Sequence, residues 1–94
     1  MTLNRTFQAL SDPTRRQILD LLKKNEMPAG EIGSHFSISS PSLSHHLNVL
    51  KQADLVSTRR QGQLIIYSLN VSVFEELTQA LLDYFRPAQT KKRK

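Results

Sequence analysis

The chain has 94 residues, 38% of them hydrophobic, and a formal net charge of +5, which suits one domain with a single modest core and leaves no room for a second, catalytic domain. It contains no cysteine, so disulfides, thiolate metal sites and cysteine nucleophiles are excluded together, as fits a reducing cytoplasm. No signal-peptide-like apolar run opens the chain and no stretch approaches the roughly 18 apolar residues of a membrane helix, so a soluble cytoplasmic protein is expected.

The charge is unevenly spread. Lys91, Lys92, Arg93 and Lys94 supply most of the excess, and the rest of the chain is nearly balanced. Residues 39–63 hold Lys51, Arg59 and Arg60 against Asp54 alone, whereas residues 71–85 hold Glu75, Glu76 and Asp83 with no base. Within the body of the chain, basic charge therefore lies beside the serine-rich stretch at residues 39–51 and acidic charge away from it.

Taken in order, Leu3, Phe7 and Leu10 recur at helical spacing, so residues 2–10 read as a short amphipathic helix. Ser11-Asp12-Pro13 breaks the chain and restarts it, with Asp12 as N-cap and Pro13 at the first helical position, where its missing N–H costs nothing. The second helix is expected over residues 13–24, with Ile18, Leu21 and Leu22 facing the core. Arg15 and Arg16 lie in its first turn, an unfavourable place for cations without an anionic partner. They read either as phosphate contacts or as a solvated or intramolecularly paired couple.

Residues 25–28 read as a loop, and Pro28 opens a short third helix to about His35, with Ala29, Ile32 and Phe36 on one face. Gly33 inside that helix costs roughly 1 kcal/mol of propensity against alanine, a sign of close helix packing. A joint, Phe36-Ser37-Ile38-Ser39, precedes a fourth helix over residues 40–53, on which Leu43, Leu47 and Leu50 form a narrow apolar stripe. A short helix, a tight turn holding one buried residue (Ile38) and a longer helix match the helix-turn-helix pattern.

The outward face of the longer helix carries Ser40, Ser42, Ser44, His45 and Asn48. These are short hydrogen-bonding groups without formal charge, where lysine and glutamate would be the simplest way to solvate a helix. Serine hydroxyls can donate or accept at phosphates and base edges, and an imidazole can donate to guanine N7 or O6. On the helical wheel His45 points outward, and His46 sits on the shoulder of the apolar stripe as a packed or capping residue. A flexible serine-rich linker is the bland alternative, but the regular leucines and Pro41 in the first turn argue against it.

From Leu55 the period becomes extended. Residues 55–60 and 63–69 flank Gln61-Gly62, where glycine supplies the positive φ of a tight turn, giving a two-stranded hairpin. Its tip carries Arg59, Arg60, Gln61 and Gln63. An isolated hairpin is marginal in water, so it must pack on the helices through Val56, Leu64 and Ile66. Ser72 and Glu75 have capping-box spacing and open a last helix that ends before Arg86-Pro87, with Phe74, Leu77, Leu81, Tyr84 and Phe85 on its apolar stripe.

Leu3, Phe7, Leu77, Leu81, Tyr84 and Phe85 are a large apolar load at the two ends of a small domain. They read as ordinary core or as a two-fold interface built from the terminal helices, and the interface is the reading adopted. The expected fold is mainly α with a two-stranded β-hairpin, a winged helix-turn-helix over residues 1–86, followed by a basic, disordered tail over 87–94.

Three segments also carry a resemblance. Residues 9–19 (Ala-Leu-Ser-Asp-Pro-Thr-Arg-Arg-Gln-Ile-Leu), then Ser39-x-Pro41-Ser42-Leu43-Ser44-His45-His46-Leu47-x-x-Leu50, then Arg60-Gln61-Gly62-Gln63-x-x-x-Tyr67-Ser68-Leu69 resemble the ArsR/SmtB-type bacterial repressors, in matching order and spacing over residues 5–85. The resemblance implies a homodimeric repressor on a pseudo-palindromic operator. Ser40, Ser42, Ser44 and His45 would enter the major groove, and Arg59, Arg60, Gln61 and Gln63 of the wing would meet phosphates or the minor groove. It is nearest to the small metal-independent autorepressors of the family, controlled by abundance or by a sequestering partner protein.

The chain departs from many relatives at the effector site. They sense metals through cysteines or through paired His and acidic residues on the closing helix, but no cysteine exists here and no histidine follows His46. His35 is a lone histidine outside the fourth helix, so no specific metal site and no cofactor are expected. Thiol-redox sensing is excluded by the same absence of cysteine. A protein-interaction module without an operator is the alternative, though such a face would more often present aromatic or aliphatic anchors. An enzyme is not expected, because no nucleophile is paired with a base and an orienting acid.

Overall fold

The computed structural model describes residues 3–87, so the basic tail beyond Pro87 lies outside the described residues. The elements are α1 (Leu3–Leu10), α2 (Pro13–Lys24), β1 (Met27–Pro28), α3 (Ala29–Gly33), α4 (Ser40–Gln52), β2 (Val56–Gln61), β3 (Leu64–Leu69) and α5 (Val71–Phe85). No helix among the described residues is long and apolar enough to cross a membrane.

Local chemistry explains the helix starts. Asp12 is extended (φ −101°, ψ 130°) and its carboxylate accepts from the Arg15 N–H at 3.0 Å, with Pro13 in the first turn. Ser39 caps α4 in the same way, its hydroxyl accepting from the Ser42 N–H at 3.2 Å. Along α2 the core takes Ile18, Leu19 and Leu22, while Leu21, expected to face inward, is only half-buried. Ile38 in the turn is likewise half-buried.

The end of α4 is a Schellman motif. Leu55 N–H donates to Leu50 O at 3.0 Å and Asp54 N–H to Lys51 O at 2.9 Å, while Asp54 takes the left-handed backbone (φ 61°) that glycine usually supplies. Leu50 and Leu55, the apolar pair that accompanies this motif, are both fully buried. That turn feeds the chain directly into β2.

The two-stranded hairpin, β2 with β3, is present as expected, and Met27–Pro28, expected as loop, extends it to a three-stranded antiparallel sheet of order β1-β3-β2. Met27 pairs with Tyr67 and Pro28 with Ile66. Two residues carry no readable period, and Pro28 is tolerated because β1 is an edge strand. On the other side, Val56 faces Leu69 and Gln61 faces Leu64 across the two-residue turn, where Gly62 has φ 63°. Val56 and Ile66 are buried as expected, but Leu64 is 51% exposed because it sits at the turn, beyond the helices.

Two other helix bounds differ from expectation. Helix α3 stops at Gly33 instead of His35, with Pro28 at its cap position. A methyl group on Gly33 would stand 2.9 Å from Leu43 Cδ2, so the close packing expected there joins α3 to α4. Helix α5 is capped at Asn70, not at Ser72. Asn70 N–H donates to Leu55 O and its side-chain amide to Asp54 O, both at 3.0 Å. The chain is thus pinned two residues earlier than the capping-box spacing suggested, and Val73 N–H already donates to Asn70 O at 3.1 Å.

One buried cluster joins Ala9, Ile18, Leu19, Leu22, Met27, Ile32, Leu47, Leu50, Ala53, Leu55 and Val56. Every helix up to α4 and the first two strands contribute to it, so the helix-turn-helix and the wing share one core.

Candidate nucleic-acid interface

Burying Leu47 and Leu50 turns the opposite face of α4 to solvent. Ser40, Ser44, His45 and Asn48 are exposed and Ser42 is half-buried. Among the described residues the side chains of Ser40, Ser44 and Asn48 have no hydrogen-bond partner, so their donors and acceptors stand ready for another molecule. The His45 ring lies 5.7 Å from that of His46, tilted by 56°, but the two have separate surroundings. His45 faces out. His46 has only 13% of its side chain exposed, and its Nδ1 lies 3.1 Å from Arg15 Nη1 and 3.8 Å from Asp12 Oδ2.

Ser44, His45, Asn48 and Lys51 share a groove of about 430 Å³ with Tyr67 of β3. Lys51 and Tyr67 are thereby added to the surface. Lys51 follows Ser44 by seven positions and Asn48 by three, so the wheel contained that signal; nothing local could have brought Tyr67 to α4.

In the wing, Arg59, Arg60, Gln61 and Gln63 are all exposed. Arg60 has no ion-pair partner among the described residues, whereas Arg59 Nη2 donates to Glu26 Oε2 at 2.5 Å. The loop before β1 thus holds one of the two wing arginines.

Arg15 and Arg16 take the intramolecular alternative. Arg15 Nε donates to Ala9 O at 2.8 Å and its Nη2 to Gln8 O at 2.9 Å, and Arg16 Nη1 donates to Leu10 O at 2.6 Å. Both guanidinium groups satisfy the carbonyls left open at the C-terminal end of α1, which offsets their awkward position at the start of α2. The Asp12 carboxyl beside them is held below its ordinary value, first by the Arg15 N–H and also by the Arg15 charge and the Thr14 N–H, against an opposing effect of partial burial.

The terminal helices leave apolar surface uncovered. Phe7 is 47% exposed, Tyr84 72% and Phe85 74%, with Leu82 beside them, while Leu3 and Leu81 are half-buried. Leu77 is a correction: it is 5% exposed within the single chain and has almost no area left for a partner. Among the described residues no group of three or more His, Cys, Asp or Glu is placed to hold a metal ion.

Residues 12–58, from the α2 cap into β2, match the model of bacterial regulatory proteins of the arsR family. The chain belongs to the ArsR family. Its helix-turn-helix and wing are those of a transcriptional regulator, and the family is not one of enzymes. Over 82 residues the chain is 55% identical to the transcriptional repressor SdpR of Bacillus subtilis (strain 168), covering 87% of this chain and 91% of that protein. It is 40% identical over 79 residues to the arsenical resistance operon repressor of Staphylococcus xylosus, covering 84% and 76%. A crystal structure of an ArsR family transcriptional regulator superposes with a TM-score of 0.82 at 27% identity, covering 97% of this chain and 98% of that one. The winged helix-turn-helix expected from the sequence is therefore the fold of this ArsR-family chain.

Proposed function

We propose that this ArsR-family protein is a repressor that binds a pseudo-palindromic operator as a homodimer in the cytoplasm. Helix α4 enters the major groove and the wing lies on the backbone or in the minor groove. The observation that carries this reading is the uncharged, outward row of Ser40, Ser44, His45 and Asn48 on a helix whose other face is locked in the core. Such a row offers hydrogen bonds to base edges, and Lys51 and Arg60 beside it offer charge to phosphates.

The apolar ends of α1 and α5 are the natural two-fold contact, because Phe7, Tyr84 and Phe85 would otherwise remain in water. Two copies would then present two α4 helices to successive turns of one face of the duplex. The relatives named as repressors support the direction of regulation.

The test is selection of duplexes from a randomised library, followed by titration of the enriched palindrome against salt. Enrichment of a palindrome whose affinity falls steeply with salt is expected. A library that fails to converge, or affinity flat in salt, would remove the operator reading.

A further inference from the structure

Helix α1 carries exposed apolar surface at Phe7, and α4 carries the outward polar row. The two helices are distant in sequence, yet two polar ties join them. Arg5 Nη1 of α1 donates to Gln52 O, the last residue of α4, at 3.2 Å. Arg15, whose guanidinium holds the Gln8 and Ala9 carbonyls at the end of α1, also reaches His46 Nδ1, in the middle of α4, at 3.1 Å.

The second tie has a defined polarity. A guanidinium only donates, so the contact makes Nδ1 the acceptor and leaves the ring hydrogen on Nε2. Asp12 Oδ2, at 3.8 Å from the same nitrogen, is too far to compete for it as a hydrogen bond, and its carboxylate is occupied by the Arg15 N–H at 3.0 Å. His46 is thus held by Arg15, and Arg15 is held by α1. The ring is largely buried, where a partnered polar group is costly to leave alone.

We propose that His46 is a positioning residue for DNA recognition. Through Arg15 it fixes the angle between α4 and α1, and Arg5 fixes the far end of the same helix. This rests on the operator reading above, in which α1 takes part in the two-fold contact. The joint then sets the distance and rotation between the two α4 helices of a dimer, and so the half-site spacing that the protein accepts. A base pair inserted between half-sites rotates one against the other by roughly 35° and shifts it by about 3.4 Å, which a stiff joint cannot follow.

The experiment uses the full chain and the palindrome enriched by wild type from the randomised library, together with versions carrying one base pair inserted or deleted at the centre. Wild type should bind the altered spacings at least about tenfold more weakly. In His46→Ala this penalty should shrink to less than about threefold, with affinity for a random duplex unchanged. His46→Gln, whose amide oxygen can accept from Arg15, should restore the penalty. Arg5→Ala changes an exposed side chain that no folding argument requires, and it should relax spacing in the same direction. A merely structural role for His46 would lower the melting temperature and weaken all duplexes in parallel.

The joint is overturned if wild type tolerates altered spacing, if both His46→Ala and Arg5→Ala keep the full penalty, or if His46→Gln behaves as His46→Ala. Failure of the library to converge at all removes the operator reading itself, and the joint with it.

Discussion

Arg59 is bound to Glu26, across 33 positions of sequence, by a single contact between Nη2 and Oε2. Both side chains are half exposed, so the pair contributes little to stability, at most about 1 kcal/mol. Its consequence is for DNA. In the proposed operator complex a phosphate would have to compete with the carboxylate for Arg59, whereas Arg60 has no such rival among the described residues.

Glu26→Gln should therefore tighten binding to any duplex and steepen the dependence of log affinity on log salt by up to about 0.9 per released arginine. Arg60→Ala should do the reverse, making the slope shallower by about the same amount at every sequence. Fluorescence anisotropy across a salt series measures both. If Glu26→Gln leaves slope and affinity as in wild type, the pair does not restrain Arg59.

His45→Ala should cost about 1–3 kcal/mol on the enriched palindrome and leave binding to a random duplex intact. Equal losses on both would make His45 a backbone contact. Competition titrations with the two duplexes give the ratio directly.

If the proposed two-fold contact forms, Phe85→Glu should leave the chain monomeric, because the ring is 74% exposed in the single chain and the change adds charge there without opening the core. Sedimentation equilibrium, with circular dichroism to show that the helices persist, reads this outcome. A wild-type protein that is monomeric at all concentrations would end the two-fold proposal.

Asp54→Gly should stabilise the chain by about 0.5–1 kcal/mol, since the left-handed backbone at this position suits glycine better than any residue with a side chain. Asp54→Val should destabilise it for the same reason, β-branching making that backbone costlier still. Urea unfolding midpoints at constant slope decide both signs.

The acid limb of stability should depend on Asp12. Its carboxyl sits below 3.8 in the folded chain, so the unfolded chain binds more protons as the solution is acidified. The stabilisation is complete above the unfolded value and is lost as pH falls through the lower, folded value. Wild type should therefore lose more melting temperature than Asp12→Asn between about pH 5 and pH 3, and the two should keep a constant gap between about pH 6 and pH 8.

Some of the fold is encoded within single short stretches of the chain. Asp12 caps α2 by reaching three residues ahead, the leucines of α4 repeat at helical spacing, and Gly62 provides the turn between two strands. These choices depend on neighbours within one or two turns. They were enough to describe a helix-turn-helix with a wing and to put Ser40, Ser44, His45 and Asn48 on its outward face.

What needed the tertiary structure was every choice between partners far apart in the chain. Met27 and Pro28 become a strand because β3 passes beside them, and α5 starts at Asn70 because Leu55 and Asp54 hold it there. Arg15 and Arg16 bind the carbonyls at the end of α1, Arg59 turns to Glu26, and Leu77 is used up inside the chain. A charged or apolar side chain has the same propensity whichever partner it finds. The sequence by itself determined which groups were on offer at each surface; only the folded chain, by bringing distant carbonyls and carboxylates within hydrogen-bond reach, decided which of them were already taken.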